Sequence, residues 1–250
     1  MSVYKEYFEG EEDLLYTLEK LHERKQKLKE MLEIYGGESF VVELLGLPRT
    51  GKTLCTEKVY DFFKMGGITI EKADEPARII KDSYTKKELD EWSRVKFNDM
   101  TLEISKKALE EKKKLNPNII IMDRGVIDNY IWYNMMLNDG TIDEKTYEEK
   151  IKNMDFDIEL LDKIYMMSAD PKEIIRRDYR NEIWLEKRKK TNLETVTKLN
   201  NSIEKLRPIL QSKAPSAVSV INTNNIDEVA TSILIASDVI DGIEKKLVKR

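Results

Sequence analysis

The run Gly46-Leu-Pro-Arg-Thr-Gly51-Lys52-Thr53 constrains this chain more than any other segment. It fits G-x-x-x-x-G-K-[ST] at every defined position. An apolar stretch, Phe40-Val-Val-Glu-Leu-Leu45, precedes it, and a helical pattern over 52–65 follows. Strand, glycine-bounded turn and helix in that order place backbone amides at a helix N-terminus, where partial positive charge favours phosphate. The glycines let the chain turn tightly around an anion. Gly46, Arg49, Thr50, Gly51, Lys52, Thr53 and Leu54 are therefore the candidate nucleoside-triphosphate set. Lys52 can reach the β- and γ-phosphates, and the Thr53 hydroxyl can bind Mg²⁺. An ordinary glycine-containing turn is the plain alternative.

Strands and helices alternate beyond this loop. The pattern predicts strands at 68–72, 118–122, 163–167 and 217–221. It predicts helices near 85–115, 126–138, 143–152, 191–211 and 226–247, and one opening at Pro171. Strands too far apart for hairpins imply a parallel sheet with right-handed crossovers. The expected fold is α/β, a three-layer P-loop NTPase fold with a five-stranded parallel sheet. An N-terminal helix over 10–34 carries a stripe of Leu14, Leu18, Leu21, Leu28 and Leu32, interrupted by Lys25. Such a stripe either packs on the main domain or pairs two copies in a homodimer.

Composition removes other chemistries. Among 250 residues, 43 basic and 47 acidic side chains leave a net charge of -4, so no global field favours nucleic acid. No apolar run approaches the ~18 residues of a membrane helix. The polar, acidic start shows neither a signal nor a transit peptide, so a cytoplasmic protein is expected. The single cysteine, Cys55, excludes a disulfide framework and reads as core; the single histidine, His22, excludes His-pair zinc chemistry. Lys, Arg, Asp and Glu remain as the working groups.

Asp123-Arg124-Gly125 follows the strand at 118–122, and ligands of open parallel sheets sit outside the carboxyl ends of strands. Asp123 is a candidate Mg²⁺ ligand, or else caps a turn. Arg124 can neutralise phosphate, and Gly125 permits close backbone approach. Glu75-Pro76-Ala77-Arg78 opens on the same edge. Glu75 can accept a proton from an attacking hydroxyl, or is a surface residue before a helix-starting proline. Arg78 can hold a substrate group or sit in solvent. Arg176, Arg177, Arg180 and Arg188 can close over a triphosphate. Alternatively they form a solvated face with Asp178, Glu182 and Glu186. Trp92 and Phe97 can stack on a base and Asn98 can read its edge; helical packing explains the aromatics equally well.

Taken in order, these pieces resemble the P-loop nucleoside and nucleotide kinases: the thymidylate-kinase-like and deoxynucleoside-kinase-like families and bacterial small-molecule kinases of the nicotinamide-riboside-kinase type. The resemblance spans about 39–240. It rests on Gly46 to Thr53, Glu75-Pro76, Asp123-Arg124-Gly125, Asp170-Pro171 before the arginines, and Asn222-Thr223-Asn224. It implies Glu75 as general base, Asp123 and Arg124 on metal or phosphate, Arg177 and Arg180 with Arg176 and Arg188 as lid arginines, and Asn222 and Asn224 near adenine. Trp92-Ser93 followed by Phe97-Asn98 looks like a Trp-Ser-x-x-Phe-Gln run that contacts the base, with one extra residue and Asn for Gln. Gly125 stands where these families often carry a larger or hydroxyl residue. The implied division is an N-terminal helical extension, 1–37, and a kinase domain, 38–250, with a basic lid segment near 176–190. The implied activity is Mg²⁺-assisted transfer of the ATP γ-phosphoryl group to a nucleoside or nucleotide, without nucleic acid or membrane as partner. Two other readings stand beside it: a kinase of a non-nucleoside small molecule, and a nucleotide-dependent regulatory or interaction ATPase.

Overall fold

The computed structural model describes residues 11–182, 193–224 and 226–249, with side chains over 16–178, 193–224 and 226–249. Its strands are β1 (Phe40–Gly46), β2 (Ile70–Ala73), β3 (Ile119–Asp123), β4 (Lys163–Ser168) and β5 (Val218–Asn222). They form one parallel sheet in the order β2-β3-β1-β4-β5. The chain runs to one edge through β2 and β3 and to the other through β4 and β5, which leaves β1 at the centre. Every residue of β1 and β3 is buried, as apolar strands covered on both faces must be. Leu44 pairs with Asp123, and Gly46 with Met167, so the phosphate-loop entry and Asp123 leave the sheet side by side.

The helices are α1 (Glu11–Tyr35), α2 (Lys52–Met65), α3 (Pro76–Ser83), α4 (Lys86–Asp90), α5 (Arg94–Lys114), α6 (Asp128–Asn138), α7 (Glu144–Ile151), α8 (Met154–Glu159), α9 (Pro171–Glu182), α10 (Leu193–Lys213) and α11 (Glu228–Val248). Side chains alternate across a strand, and the core divides accordingly. Val41, Leu45, Ile120, Met122, Ile164 and Met166 pack with residues of α5, α6 and α10. Val42, Leu44, Ile119, Ile121, Tyr165 and Met167 pack with α1, α2 and α11. These are the three layers the sequence implied. Among the described residues, no helix is long and apolar enough to cross a membrane.

The helix expected over 85–115 is two helices, α4 and α5. Thr85 and Glu88 form a reciprocal capping box at the start of α4. The Ser93 hydroxyl, in extended backbone, accepts the Lys96 amide at 3.1 Å and starts α5 afresh. Trp92 therefore sits in the turn between them. Pro76 opens a separate short helix, α3, at its favoured first position. The second strand begins at Ile70, and α8 is an element the sequence pattern did not separate.

The leucine stripe of α1 is used within the chain. Leu21 and Leu28 are buried in the layer of α2 and α11, with Leu18 and Leu32 packed against it. The side chain of Leu14 lies outside the described residues. Lys25, which interrupts the stripe, donates to the Phe62 carbonyl at 3.0 Å at the end of α2. Arg24 bridges to Asp241 and to Glu244 (3.0 Å) on α11. A homodimer through this stripe finds Leu21 and Leu28 already covered, because the fold's own helices complete the groove. Leu28→Ala should cost about 2–5 kcal/mol, the range for truncating a buried leucine. Urea titration at low and high protein concentration should give the same midpoint; a midpoint rising with concentration would restore the pairing role.

Candidate functional site

The phosphate loop leaves β1 at Gly46, where φ is +127°. A Cβ there would lie 2.0 Å from the Met167 carbonyl oxygen of β4. Gly46, expected to touch the nucleotide, instead lets two strands approach and does not line the cavity. Gly51 is left-handed at φ +89°, opens on free space and begins α2. Lys52 folds over its own loop: Nζ donates to the carbonyls of Gly46 (3.2 Å) and Leu47 and to Thr50 Oγ1 (3.3 Å). Burial, then repulsion from Arg124, pulls its ammonium down to about 7. Thr53 Oγ1 donates to Asp123 Oδ2 at 2.5 Å. Two hard oxygens suit Mg²⁺, which draws its remaining ligands from water and phosphate. Among the described residues no group of three His, Cys, Asp or Glu forms a metal cage. Cys55 is buried, and burial pushes its thiol up to about 11, as a core residue requires.

A cavity of about 820 Å³ spreads from this loop. Arg49, Thr50, Gly51, Lys52, Thr53 and Leu54 line one side, and Thr223, Asn224 and Ile226, after β5, line another. Asn222, expected beside them, ends β5, accepts the Asn224 amide at 3.0 Å and does not reach the cavity. Thr223, which sequence reasoning passed over, takes its place. Arg176 and Arg177 of α9 also line the cavity. Arg177 donates to the Arg49 carbonyl (3.2 Å), Thr223 Oγ1 (3.1 Å) and the Thr223 carbonyl. Arg49 in turn pairs with Asp178 at 2.7 Å. The root of α9 is thus bolted to the phosphate loop and to the loop after β5. Hydrogen bonds from Arg176 and Arg177 hold Glu173 down at about 2. The Arg180 side chain and all of Arg188 lie outside the described residues.

The turn after β3 brings the other charges in. Arg124 is left-handed at φ +58°, and its amide donates to the Leu44 carbonyl at 2.9 Å. Its Nη1 lies 3.0 Å from both oxygens of Asp128, and its Nε 3.3 Å from Glu75. Asp128 also accepts from the Gly46 amide (3.3 Å) and the Trp132 indole (3.2 Å). Beneath them lies Glu43, a fully buried acid in the middle of β1. Its carboxylate accepts the amides of Gly125 (3.0 Å), Ile127 (2.9 Å) and Asp128 (2.8 Å). Burial nevertheless pushes it up to about 7. A Cβ on Gly125 would come within 2.8 Å of Glu43 Oε2, which accounts for glycine at this position.

A second cavity, of about 410 Å³, opens on the other side of Arg124. Trp92, Phe97, Asn98, Trp132 and Met136 are among its walls, and Glu75, Arg124 and Asp128 stand at one end. Glu75 and Arg124 line both cavities. Trp92 stands in the turn before Ser93 and Phe97 in the first turn of α5, and both line the cavity. Asn98 is buried, and its amide nitrogen donates to the Asn129 carbonyl at 3.1 Å, so that donor is committed to the protein. Arg78, expected to hold substrate, does not line either cavity. Helix α3 buries Pro76 and Ile80, which turns Arg78 outward to Asp82, 3.8 Å away.

Neither a protein-family model nor a curated protein matches the sequence. Solved structures match by shape. Deoxyadenosine kinase from M. mycoides with bound dATP superposes with a TM-score of 0.54 at 20% identity, covering 81% of this chain and 100% of that one. Thymidylate kinase from Candida albicans gives 0.57 at 13% identity, with 84% and 93% covered. The deoxyadenosine kinase with the products dCMP and dCDP gives 0.55 at 17%, with 81% and 99% covered. The chain is therefore similar in fold to nucleoside and nucleotide kinases, as its motifs implied.

Glu43 yields a pH test. Its folded value of about 7 exceeds the ordinary 4.5, so the folded state holds the proton more tightly. The stability it contributes is fully present below about 4.5 and is lost as pH rises to about 7. Wild type should lose about 3 kcal/mol relative to Glu43→Gln across that window, from ~1.4 kcal/mol per pH unit. Urea unfolding at a series of pH values measures this; a pH-independent difference between the two proteins refutes it.

Proposed function

We propose that this chain transfers the γ-phosphoryl group of ATP to a nucleoside or nucleotide acceptor. The observation that carries the reading is the meeting of the two cavities at Glu75 and Arg124. A transferase needs donor and acceptor in line with charged groups at the junction. A regulatory ATPase needs only the larger cavity. The aromatic walls of the smaller one favour a flat acceptor over a non-nucleoside compound.

Each residue then has a task. The loop amides and Lys52 hold the phosphates, and Thr53 and Asp123 would hold Mg²⁺. The ion supplies positive charge against the phosphate oxygens. Thr223, Asn224 and Ile226 face the donor's base. Glu75 takes the proton of an attacking hydroxyl. Arg124 meets the charge that builds on the transferring group. Arg177 keeps the phosphate loop and the donor-base loop in register, and Arg176 adds charge at the wall of the same cavity. The kinase domain is 38–250, with the 1–37 extension packed on it through α1. The setting that goes with this reading is cytoplasmic.

Lys52→Ala should abolish transfer and weaken MgATP binding with the fold intact. Glu75→Gln should slow turnover on a hydroxyl acceptor by ~10²–10⁴, the usual worth of a general base, with MgATP affinity little changed. Asp123→Asn should raise the Mg²⁺ requirement. Calorimetry and an ADP-release screen over nucleosides and nucleoside monophosphates measure all three. Unchanged MgATP affinity in Lys52→Ala refutes the donor assignment, and ADP release that no acceptor stimulates refutes the transferase.

A further inference from the structure

Resting on the phosphotransferase reading, we propose that the acceptor reacts through a neutral hydroxyl, which makes it a nucleoside rather than a nucleoside monophosphate. The inference comes from the charges at the end of the smaller cavity where the two cavities meet. Three ionisable side chains stand there: Glu75, Asp128 and Arg124. The single cation among them is committed, with Asp128 at 3.0 Å on one side and Glu75 at 3.3 Å on the other. The three together carry one net negative charge.

The remaining cations of the cavity wall do not serve this end. Arg94 is held by Asp139 at 2.6 Å and Thr141 at 2.9 Å. Lys81 is exposed and lies six residues along α3 from Glu75, roughly 9 Å of helical rise away. Arg78 faces solvent beside Asp82. An acceptor phosphate dianion entering this end would meet two carboxylates and, among the described residues, no guanidinium without a carboxylate already beside it. Like charges juxtaposed in a partly buried site select against a ligand. A hydroxyl brings no charge, and it needs what the site does hold, a carboxylate open to the cavity.

The step balances without another reactant. The acceptor hydroxyl oxygen forms a bond to the γ-phosphorus. The bond from that phosphorus to the β,γ-bridging oxygen breaks, and its electron pair leaves with ADP. The hydroxyl proton passes to Glu75 and from there to water. The products are ADP and a nucleoside monophosphate. A cavity of about 410 Å³ walled by Trp92, Phe97 and Trp132 has room for a base and a sugar.

The test uses the full chain with MgATP and a panel of ribo- and deoxynucleosides, each beside its own 5′-monophosphate, with products separated by chromatography. The best nucleoside should exceed its monophosphate at least ~100-fold in kcat/KM, the discrimination an unpaired buried charge supports. Asp128→Asn, which releases one partner of Arg124, should shift that ratio toward the monophosphate by ~10-fold or more. A ratio measured within one variant does not depend on how much of it folds. Preferential use of monophosphates overturns the acceptor class and leaves the phosphotransferase standing. An Asp128→Asn ratio equal to wild type overturns the charge argument. MgATP binding with no phosphorylated product from either panel overturns the phosphotransferase itself.

Discussion

Glu43 reaches out of the central strand to three anchors in one turn, the amides of Gly125, Ile127 and Asp128. Through Asp128 the connection returns to β1 at the Gly46 amide. Strand β1, the phosphate loop it feeds and the turn carrying Arg124 are thereby one hydrogen-bonded unit. Bonds to a charged acceptor contribute about 1.5–3 kcal/mol each, and taking a carboxylate out of water costs several. These opposing effects are of the same order, so the carboxylate secures geometry more than stability. Arg124 can be left-handed and still aimed because both ends of its turn are fixed.

How far the sequence carries a reader depends on where each residue finds its partners. The phosphate loop and the five strands are legible because their signals are local: spacing, apolar runs and glycine at a turn. Asp123 is legible because it ends a run of buried apolar residues, at the last position of β3. Glu43 was not read as functional, although one acid inside Phe40–Leu45 is the visible signal, because its partners lie more than eighty residues away. Asp128 and Trp132 belong to the site only once Arg124 has been placed. Arg78 and Asn222 show the opposite error. Each sits in a motif that reaches the site, but α3 turns Arg78 out to solvent and the bond from Asn224 keeps Asn222 at the end of its strand. The break at Ser93 was written in Thr85, Glu88 and Ser93, yet a continuous charged pattern obscured it.

The two ends of the larger cavity are mechanically linked. Arg177 touches both the phosphate loop, at the Arg49 carbonyl, and the loop after β5, at Thr223. Arg49 answers with Asp178 from the same helix. A displacement of α9 therefore moves the glycine-bounded loop and the loop after β5 together. On the opposite face, α1 closes the layer of α2 and α11 and buttresses the helix that begins at Lys52.

Sharing Glu75 and Arg124 between two cavities also separates what this scaffold can vary from what it cannot. The rings of Trp92, Phe97 and Trp132 lie beyond the shared pair, on segments that carry none of the phosphate-binding loop. Exchanges of Trp92 and Phe97 alter the shape of the smaller cavity and leave the larger one untouched, whereas Trp132 is tied to Arg124 and Gly46 through Asp128. A change at either shared residue is felt in both cavities at once. Under the proposed function, substrate range is thus the evolvable coordinate of this architecture, and the chemistry is its fixed point.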